Sequence, residues 1–319
     1  MTKTLFLKNP EKLKEALDSA NMIKVCAIET EYGDRIIDEN SDPRIKLALN
    51  HHGSLSKNDP PSKRWDLYEK LEKPFDEFLV SHLDLDTLFG MLWTSKILRP
   101  TEIATKVAEL VAISDLKGFH YIEEKILPEL HPNIKYRYLG VGMIANKYLK
   151  KIEVEKDYED VSKIVHKTLL RIKDYIIDGP TEIEKRKIDE WLEERNNKAR
   201  EALVEKTEFM NIFVSDDYNP ISAYTVDGET KPLNLIYIDK NKAVILAAYN
   251  EEIAKKFFGE KGVIEPLQRF FGSTAGGRIS VGGAPRELKV EPEKFWAFKE
   301  FLEREYLNAK KKLIQKKSV

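Results

Sequence analysis

The sequence predicts an α/β protein, with a parallel-sheet N-terminal domain flanked by helices, a helical linker and a smaller C-terminal α/β domain. Three observations carry the prediction. Short apolar runs alternate with helical periodicity early in the chain. A charged, helix-patterned middle follows, and the C-terminal segment returns to strand-like runs separated by turn residues. The length, 319 residues, suits about two domains. The expected division is 1–180, a linker at 181–207, and 208–319.

Asn9-Pro10-Glu11 reads as a capped helix start with Pro in the first turn. Ile23 to Ile28 is an apolar run suited to a buried strand, and Lys46 to Leu49 is a second, ending at Asn50-His51-His52-Gly53. A polar, Pro-containing loop covers Ser54 to Lys63. Phe78-Leu79-Val80 is a third strand, running into Ser81-His82-Leu83-Asp84-Leu85-Asp86, with a helix beginning near Thr87. Another helix spans Glu102 to Ile113 and stops at Ser114-Asp115. In the middle, Val161, Ile164, Val165, Leu169 and Ile172 recur at helical spacing. Gly179-Pro180 breaks that helix, Thr181-x-x-Glu184 forms a capping box, and a helix runs through Trp191 to Glu205. Asn211 to Val214, Leu235 to Ile238 and Ala243 to Ala248 read as strands, the last two joined by a hairpin-like Asp239 to Lys242. Helices at Ile264 to Phe271 and Glu293 to Lys312 enclose a glycine-rich segment.

Composition narrows the function classes. With 53 basic and 54 acidic side chains, a net charge of -1 and 42% hydrophobic residues, the chain is too apolar and too balanced to be disordered. That balance also argues against a protein that coats nucleic acid. No apolar stretch of about 18 residues is present for a membrane span. Met1 to Pro10 has no apolar signal-peptide core, so the expectation is a cytoplasmic protein without membrane partners. The one cysteine, Cys26, excludes an intramolecular disulfide framework and a cysteine zinc site. Heavy use of Lys and Glu, with Gln only at 268 and 315, fits a thermophile's surface. No heptad seam indicates an oligomeric state.

His82-x-Asp84-x-Asp86 is the sharpest chemical signal. In an extended chain these three side chains share one face while Leu83 and Leu85 take the other. Imidazole with carboxylates suits Mn²⁺, Mg²⁺, Fe²⁺ or Zn²⁺, and sites in open α/β sheets lie past the carboxyl ends of strands. The bland reading is a polar loop in which Asp86 caps the helix at Thr87. His51 and His52, at another strand end, add ligand or substrate-facing groups, against a plain surface turn. Asp115 can complete or bridge a metal pair, against a helix-end Asp bonding local amides, and His120 beyond it is a substrate-facing candidate. Five of the 15 glycines fall in Gly272 to Gly283. Their exposed N–H groups, with Arg278 and Arg286, suit an anion, although a bulged strand connection would also use glycine. The segment is neither a P-loop nor a Rossmann fingerprint.

Together these motifs resemble the DHH phosphoesterase superfamily with its DHH-associated C-terminal domain. His82, Asp84 and Asp86 match its H-x-D-x-D motif. Asn50-His51-His52 resembles D-H-H with Asn in the first place. Ile113-Ser-Asp115-Leu-Lys-Gly-Phe119 resembles its apolar-D-T-G-F context. Gly276, Gly277, Arg278, Gly282 and Gly283 resemble its GGGH-type motif, with Arg for His. Two departures stand out: the His pair precedes H-x-D-x-D, so the motif order is rearranged, and Asn50 replaces an aspartate. A further family Asp, on the strand before D-H-H, has Glu29, Glu31, Asp34 and Asp38 as candidates.

The resemblance implies one or two divalent cations, Mn²⁺ foremost, or Mg²⁺ or Zn²⁺. His82, Asp84, Asp86 and Asp115 would be ligands, and His51 and His52 catalytic. Gly276, Gly277, Arg278, Gly282, Gly283, Arg286 and His120 would bind substrate. The implied function is hydrolysis of a phosphorylated small molecule, a nucleotide or a short oligonucleotide in an interdomain cleft. The alternative is a non-catalytic nucleotide- or nucleic-acid-binding relative with a degenerate metal site.

Overall fold

A computed structural model describes residues 1–32, 35–51, 55, 57–152, 157–216, 219–285 and 287–317. The chain divides into two compact units, Met1–Lys117 with Tyr121–Asp189, and Gly118–His120 with Glu190–Val319. The architecture is α/β with a parallel sheet near the N-terminus, as the sequence predicts, and the sheet of the C-terminal region is mixed. Among the described residues no helix is long and apolar enough to cross a membrane.

In order, the first unit contains β1 (Lys3–Phe6), α1 (Leu13–Ser19), β2 (Val25–Ile28), the small hairpin β3 (Glu31–Tyr32) and β4 (Arg35–Ile36), and β5 (Ile45–Leu49). After these come α2 (Leu67–Lys70), β6 (Glu77–Val80), α3 (Leu85–Thr94), α4 (Glu102–Lys117), α5 (Phe119–Lys125), α6 (Pro132–Ile152) and α7 (Tyr158–Asp178). Helix α5 begins at residues grouped with the second unit, and α8 (Glu182–Ala202) runs from the first unit into the second. Four strands form one parallel sheet in the order β1-β6-β2-β5. Every residue of β2 and β6 is buried, because a parallel sheet is covered on both faces and its strands read as continuous apolar runs. Leu17, Val25, Ala27 and Leu79 pack in one core cluster.

The edge strand β1 is closed off by α7. Ser162 Oγ accepts from Thr4 N at 3.0 Å and His166 Nδ1 from Thr2 N at 3.4 Å. A helical i, i+4 pair therefore meets a strand i, i+2 pair, which is the register the two periodicities allow. At the amino end of the sheet, buried Glu77 accepts from Ile23 N at 2.6 Å and Lys24 N at 2.8 Å. Burial works against its charge, but these bonds and Lys3 hold its carboxyl below the ordinary range.

The second unit holds β7 (Leu203–Lys206), β8 (Met210–Ser215), the hairpin β9 (Thr225–Val226) and β10 (Glu229–Thr230), β11 (Leu233–Ile238), β12 (Ala243–Ala248), α9 (Glu251–Phe258), α10 (Ile264–Phe271), β13 (Gly276–Gly277), β14 (Val281–Gly283) and α11 (Pro292–Lys317). Its six-stranded sheet runs β13-β14-β12-β11-β8-β7. Along β11, Leu233, Leu235 and Tyr237 enter one core cluster and Ile236 and Ile238 another. Both faces are therefore buried by simple alternation.

Several boundaries differ from the sequence reading. Helix α4 does not stop at Ser114-Asp115 but continues to Lys117. What ends it is Gly118, at φ +85, where a left-handed residue without Cβ is favoured. Helix α3 begins at Leu85, before Thr87, and its N-cap is Asp84, not Asp86: the Asp84 side chain accepts from Thr87 N at 2.9 Å. The helix read through Glu205 ends at Ala202, and β7 starts at the next residue. Ile23, read as the first residue of a strand, is 76% exposed, and β2 begins at Val25. Strand β1 and helices α2, α5, α6 and α9 are additions to the elements that the sequence predicts.

Candidate metal centre

Three adjacent strands deliver the site. Glu29 follows β2, Asn50 and His51 follow β5, and Ser81 through Asp84 follow β6, all at the carboxyl edge of the parallel sheet. Helix α3 adds Asp86 from its first turn and Thr87 beside it, and α4 adds Asp115 from its last turn.

Glu29 stands at the centre. It is fully buried and takes a left-handed backbone, φ +51, which for a non-glycine residue costs about 1–3 kcal/mol. Its Oε1 lies 2.9 Å from His51 Nε2. Its Oε2 lies 2.8 Å from His82 Nε2 and accepts from Thr87 Oγ1 at 3.1 Å. One carboxylate thus links two groups. Glu29, His51 and Asp86 form a buried set, and Glu29, His82 and Asp84 a more open one; within each set the potential ligand atoms lie within 4.8 Å of one another. His51 Nε2 also stands 3.4 Å from Asp86 Oδ2 and 3.6 Å from Asp115 Oδ2. In the open set, His82 Nε2 is 3.6 Å from Asp84 Oδ2, and the side chains are 45% and 36% exposed.

The expectation that His82, Asp84 and Asp86 share the face of one extended strand is corrected here. Strand β6 ends at Val80 and a helix starts at Leu85, so the three diverge: His82 and Asp84 go to the open set and Asp86 to the buried one. They are reunited only through Glu29. Of the four acidic candidates ahead of the His pair, Glu29 alone enters these sets. Asp38 bonds its own turn through Asn40 N and Ser41 Oγ, Glu31 lies in the β3–β4 hairpin, and Asp34 lies outside the described residues. A signal that singles out Glu29 is its place immediately after a fully apolar strand.

Four carboxylates against two imidazoles leave excess negative charge in a largely dry site, which is costly unless compensated. The compensation within the protein is protonation. For His51, burial opposes the charged form, but the neighbouring Asp86 and Glu29 prevail and push its pKa up to about 10. For His82, the bonds to Asp84 and Glu29 outweigh burial and push it to about 10. Burial pushes Asp86 up to about 6, against the opposing pull of His51 and Ser62; the Ser62 N–H donates to Asp86 Oδ1 at 3.0 Å. Asp86 Oδ2 is buried without a hydrogen bond. A buried carboxylate oxygen of this kind, within a carboxylate–imidazole donor set, fits a divalent cation. Ser81 Oγ lies 2.8 Å from His82 Nδ1 and orients that ring, as partners of ligating imidazoles commonly do.

Other sequence candidates are placed elsewhere. Asn50 does not join the ligand sets: its Oδ1 accepts from Thr30 N at 2.9 Å and its Nδ2 donates to Ile37 O at 2.9 Å. His120 is nearly buried, with ring centroids 4.6 Å from both Tyr224 and Tyr249 and Nε2 2.7 Å from Tyr249 O. Gly276 pairs with Gly283 and Gly277 with Gly282 in a β13–β14 hairpin, whose turn carries exposed Arg278. A Cβ on Gly277 would fall 2.3 Å from Val281 O, so close backbone approach accounts for that glycine. His52 and Arg286 lie outside the described residues.

No protein-family model matches the chain, and no curated protein matches it. A solved structure described as "Crystal structure of an uncharacterized protein from Helicobacter pylori G27" aligns over 94% of this chain and 88% of its own, at 15% identity and a TM-score of 0.21. Likeness at that level carries no argument about fold or function.

Proposed function

We propose that the chain is a divalent-metal-dependent phosphoesterase or phosphodiesterase acting on a nucleotide or another phosphorylated substrate. The observation that supports this most is Glu29, whose two carboxylate oxygens face two His/Asp groups at the carboxyl edge of the sheet. His51, Asp86 and Asp115 with Glu29 would hold one cation, and His82 and Asp84 with Glu29 a second. Mn²⁺ is the foremost candidate, with Mg²⁺ or Zn²⁺ as alternatives for such donors. A bound cation supplies Lewis-acid polarisation of a phosphoryl oxygen and offsets charge developing at phosphorus.

The protein's own groups have distinct tasks in this reading. The buried set, closed by Asp86 and Asp115, is anchoring. The open set is the one that substrate reaches, because His82 and Asp84 are in contact with water. Thr87 holds Glu29 Oε2 and Ser81 holds the His82 ring, so both metal-facing groups are pre-oriented. In the second unit, the hairpin of Gly276, Gly277, Arg278, Gly282 and Gly283 is proposed by itself as an anion-binding turn, where a guanidinium can bind two oxygens. His120, packed between two tyrosines, serves that unit's interior. The binding-only alternative drew its support from Asn50 in place of Asp; with its carboxamide bonded to Thr30 and Ile37, Asn50 no longer argues for a degenerate ligand set.

The test is hydrolysis of generic phosphomonoesters and phosphodiesters with Mn²⁺, repeated with Asp84→Ala and Asp84→Asn. Asn can replace the helix cap that Asp84 provides, so the second variant separates charge from stability. Both variants are expected to lose roughly 100-fold or more, beyond the 10–100-fold typical of losing a group that merely orients a ligand. Wild-type rates in either variant would remove the metal-site reading.

A further inference from the structure

We infer that Asn50 is a positioning residue: its carboxamide sets the backbone conformation that places the Glu29 carboxylate between the two His/Asp groups, and an aspartate there would do this worse. The inference rests on the metal reading above and concerns a residue outside the ligand sets.

Two consecutive N–H groups define the turn at Glu29. Glu29 N donates to Leu49 O at 3.0 Å, and Thr30 N donates to Asn50 Oδ1 at 2.9 Å. The chain leaving β2 is therefore tied to consecutive residues at the end of β5, on both sides of the left-handed Glu29. The rest of the knot closes on Ile37. Asn50 Nδ2 and Thr30 Oγ1 both donate to Ile37 O at 2.9 Å, and Ile37 N returns to Thr30 O at 3.0 Å. Glu29, Thr30, Ile37 and Asn50 are all buried, so water cannot replace a lost partner. A left-handed glutamate persists only where its surroundings over-determine it, and this knot does so.

The chemistry of residue 50 follows from its partners. It must accept from an N–H and donate to a carbonyl, and among side chains of this size a carboxamide does both. A carboxylate has no N–H for Ile37 O. It would set two acceptors against each other and bury another negative charge close to Glu29. Asparagine here is the residue that the Glu29 turn requires, not a weakened ligand.

The experiment is calorimetric titration of Mn²⁺ into the chelator-treated full chain, wild type beside Asn50→Asp, with melting temperature and the visible spectrum of Co²⁺-loaded protein recorded for each. Asn50→Asp is expected to bind Mn²⁺ roughly 10–100-fold more weakly, with an altered Co²⁺ spectrum, while still melting cooperatively. Equal or tighter binding by Asn50→Asp would overturn the inference, because an added carboxylate would then be improving a ligand position. Should Asn50→Asp not fold, Thr30→Val removes a hydroxyl from the same knot without adding charge. It is expected to weaken Mn²⁺ binding in the same direction, and unchanged affinity would overturn the inference equally. A wild-type chain that binds no Mn²⁺ would instead remove the metal reading itself, a result distinct from either.

Discussion

An ionised carboxylate removed from water costs several kcal/mol unless it is paired, and fully buried Glu29 meets that cost with two imidazoles and the Thr87 hydroxyl. This makes the site pH-sensitive in a defined direction. Without a cation, the pKa values of His51 and His82 stand near 10, above the ordinary 6.5. A group whose pKa is raised by folding contributes stability that is fully present below its unfolded value and lost as pH rises through its folded one. The melting temperature of chelator-treated protein is therefore expected to fall between pH 6.5 and about 10. His51 dominates, because water reaches His82 and screens its pairs. Mn²⁺ must displace these protons, so its affinity rises over the same window and its binding releases protons, which titrations in buffers of different ionisation enthalpy will register. A flat stability profile together with proton-neutral binding would contradict the assignment. At this scale His51, His82 and Asp84 are candidates because ligand-type side chains follow strands, and Asp86 and Asp115 because they stand in helix end turns beside them. Glu29 was not singled out among the six acidic residues between β2 and β5; its place directly after the apolar strand is the signal, and its left-handed backbone, φ +51, turns the chain there. Asn50 was misleading for the opposite reason: motif comparison sees a missing charge, whereas the fold uses the donor that replaced it.

Elements were legible where burial is two-sided. Strands β2, β6, β11 and β12 announce themselves as apolar runs, since a covered strand needs no polar face. Edge strand β1 carries no such signal: it is short, begins with Lys3, and is stabilised by side chains of α7, more than 150 residues away. That contact can be tested directly. Ser162→Ala leaves the buried N–H of Thr4 without its acceptor and is expected to cost about 1–3 kcal/mol in denaturant unfolding. Lys163→Ala, on the exposed face of the same helix, should stay within about 0.5 kcal/mol. Equal effects would show that β1 is held by packing alone. Ser and Asp in sequence suggest a stop for α4, although a helix carries them when their side chains are engaged. Asp115 stays helical and faces His51 at 3.6 Å, and Gly118 supplies the stop.

For the whole molecule, the alternation of apolar runs and helical periods was enough to give the α/β class and the parallel first sheet; the mixed pairing of the second sheet is seen only in the structure. Chain order was less informative about the candidate site, because its residues follow β2, β5 and β6 or lie in α3 and α4, an order that the strand arrangement β6-β2-β5 makes contiguous. Strands adjacent in the sheet need not be adjacent in sequence, provided that their carboxyl ends emerge on one edge. The central claim is that Glu29 joins two cation-holding groups on that edge. The most direct test is the metal content of the chelator-treated chain after loading with Mn²⁺ and desalting, compared with Glu29→Gln, which preserves shape and removes the charge. The account predicts about two equivalents retained by the wild type, as in two-metal phosphoryl-transfer sites, and a loss at both positions in Glu29→Gln. A wild-type chain that retains no metal, or a Glu29→Gln chain that retains as much as the wild type, would contradict it.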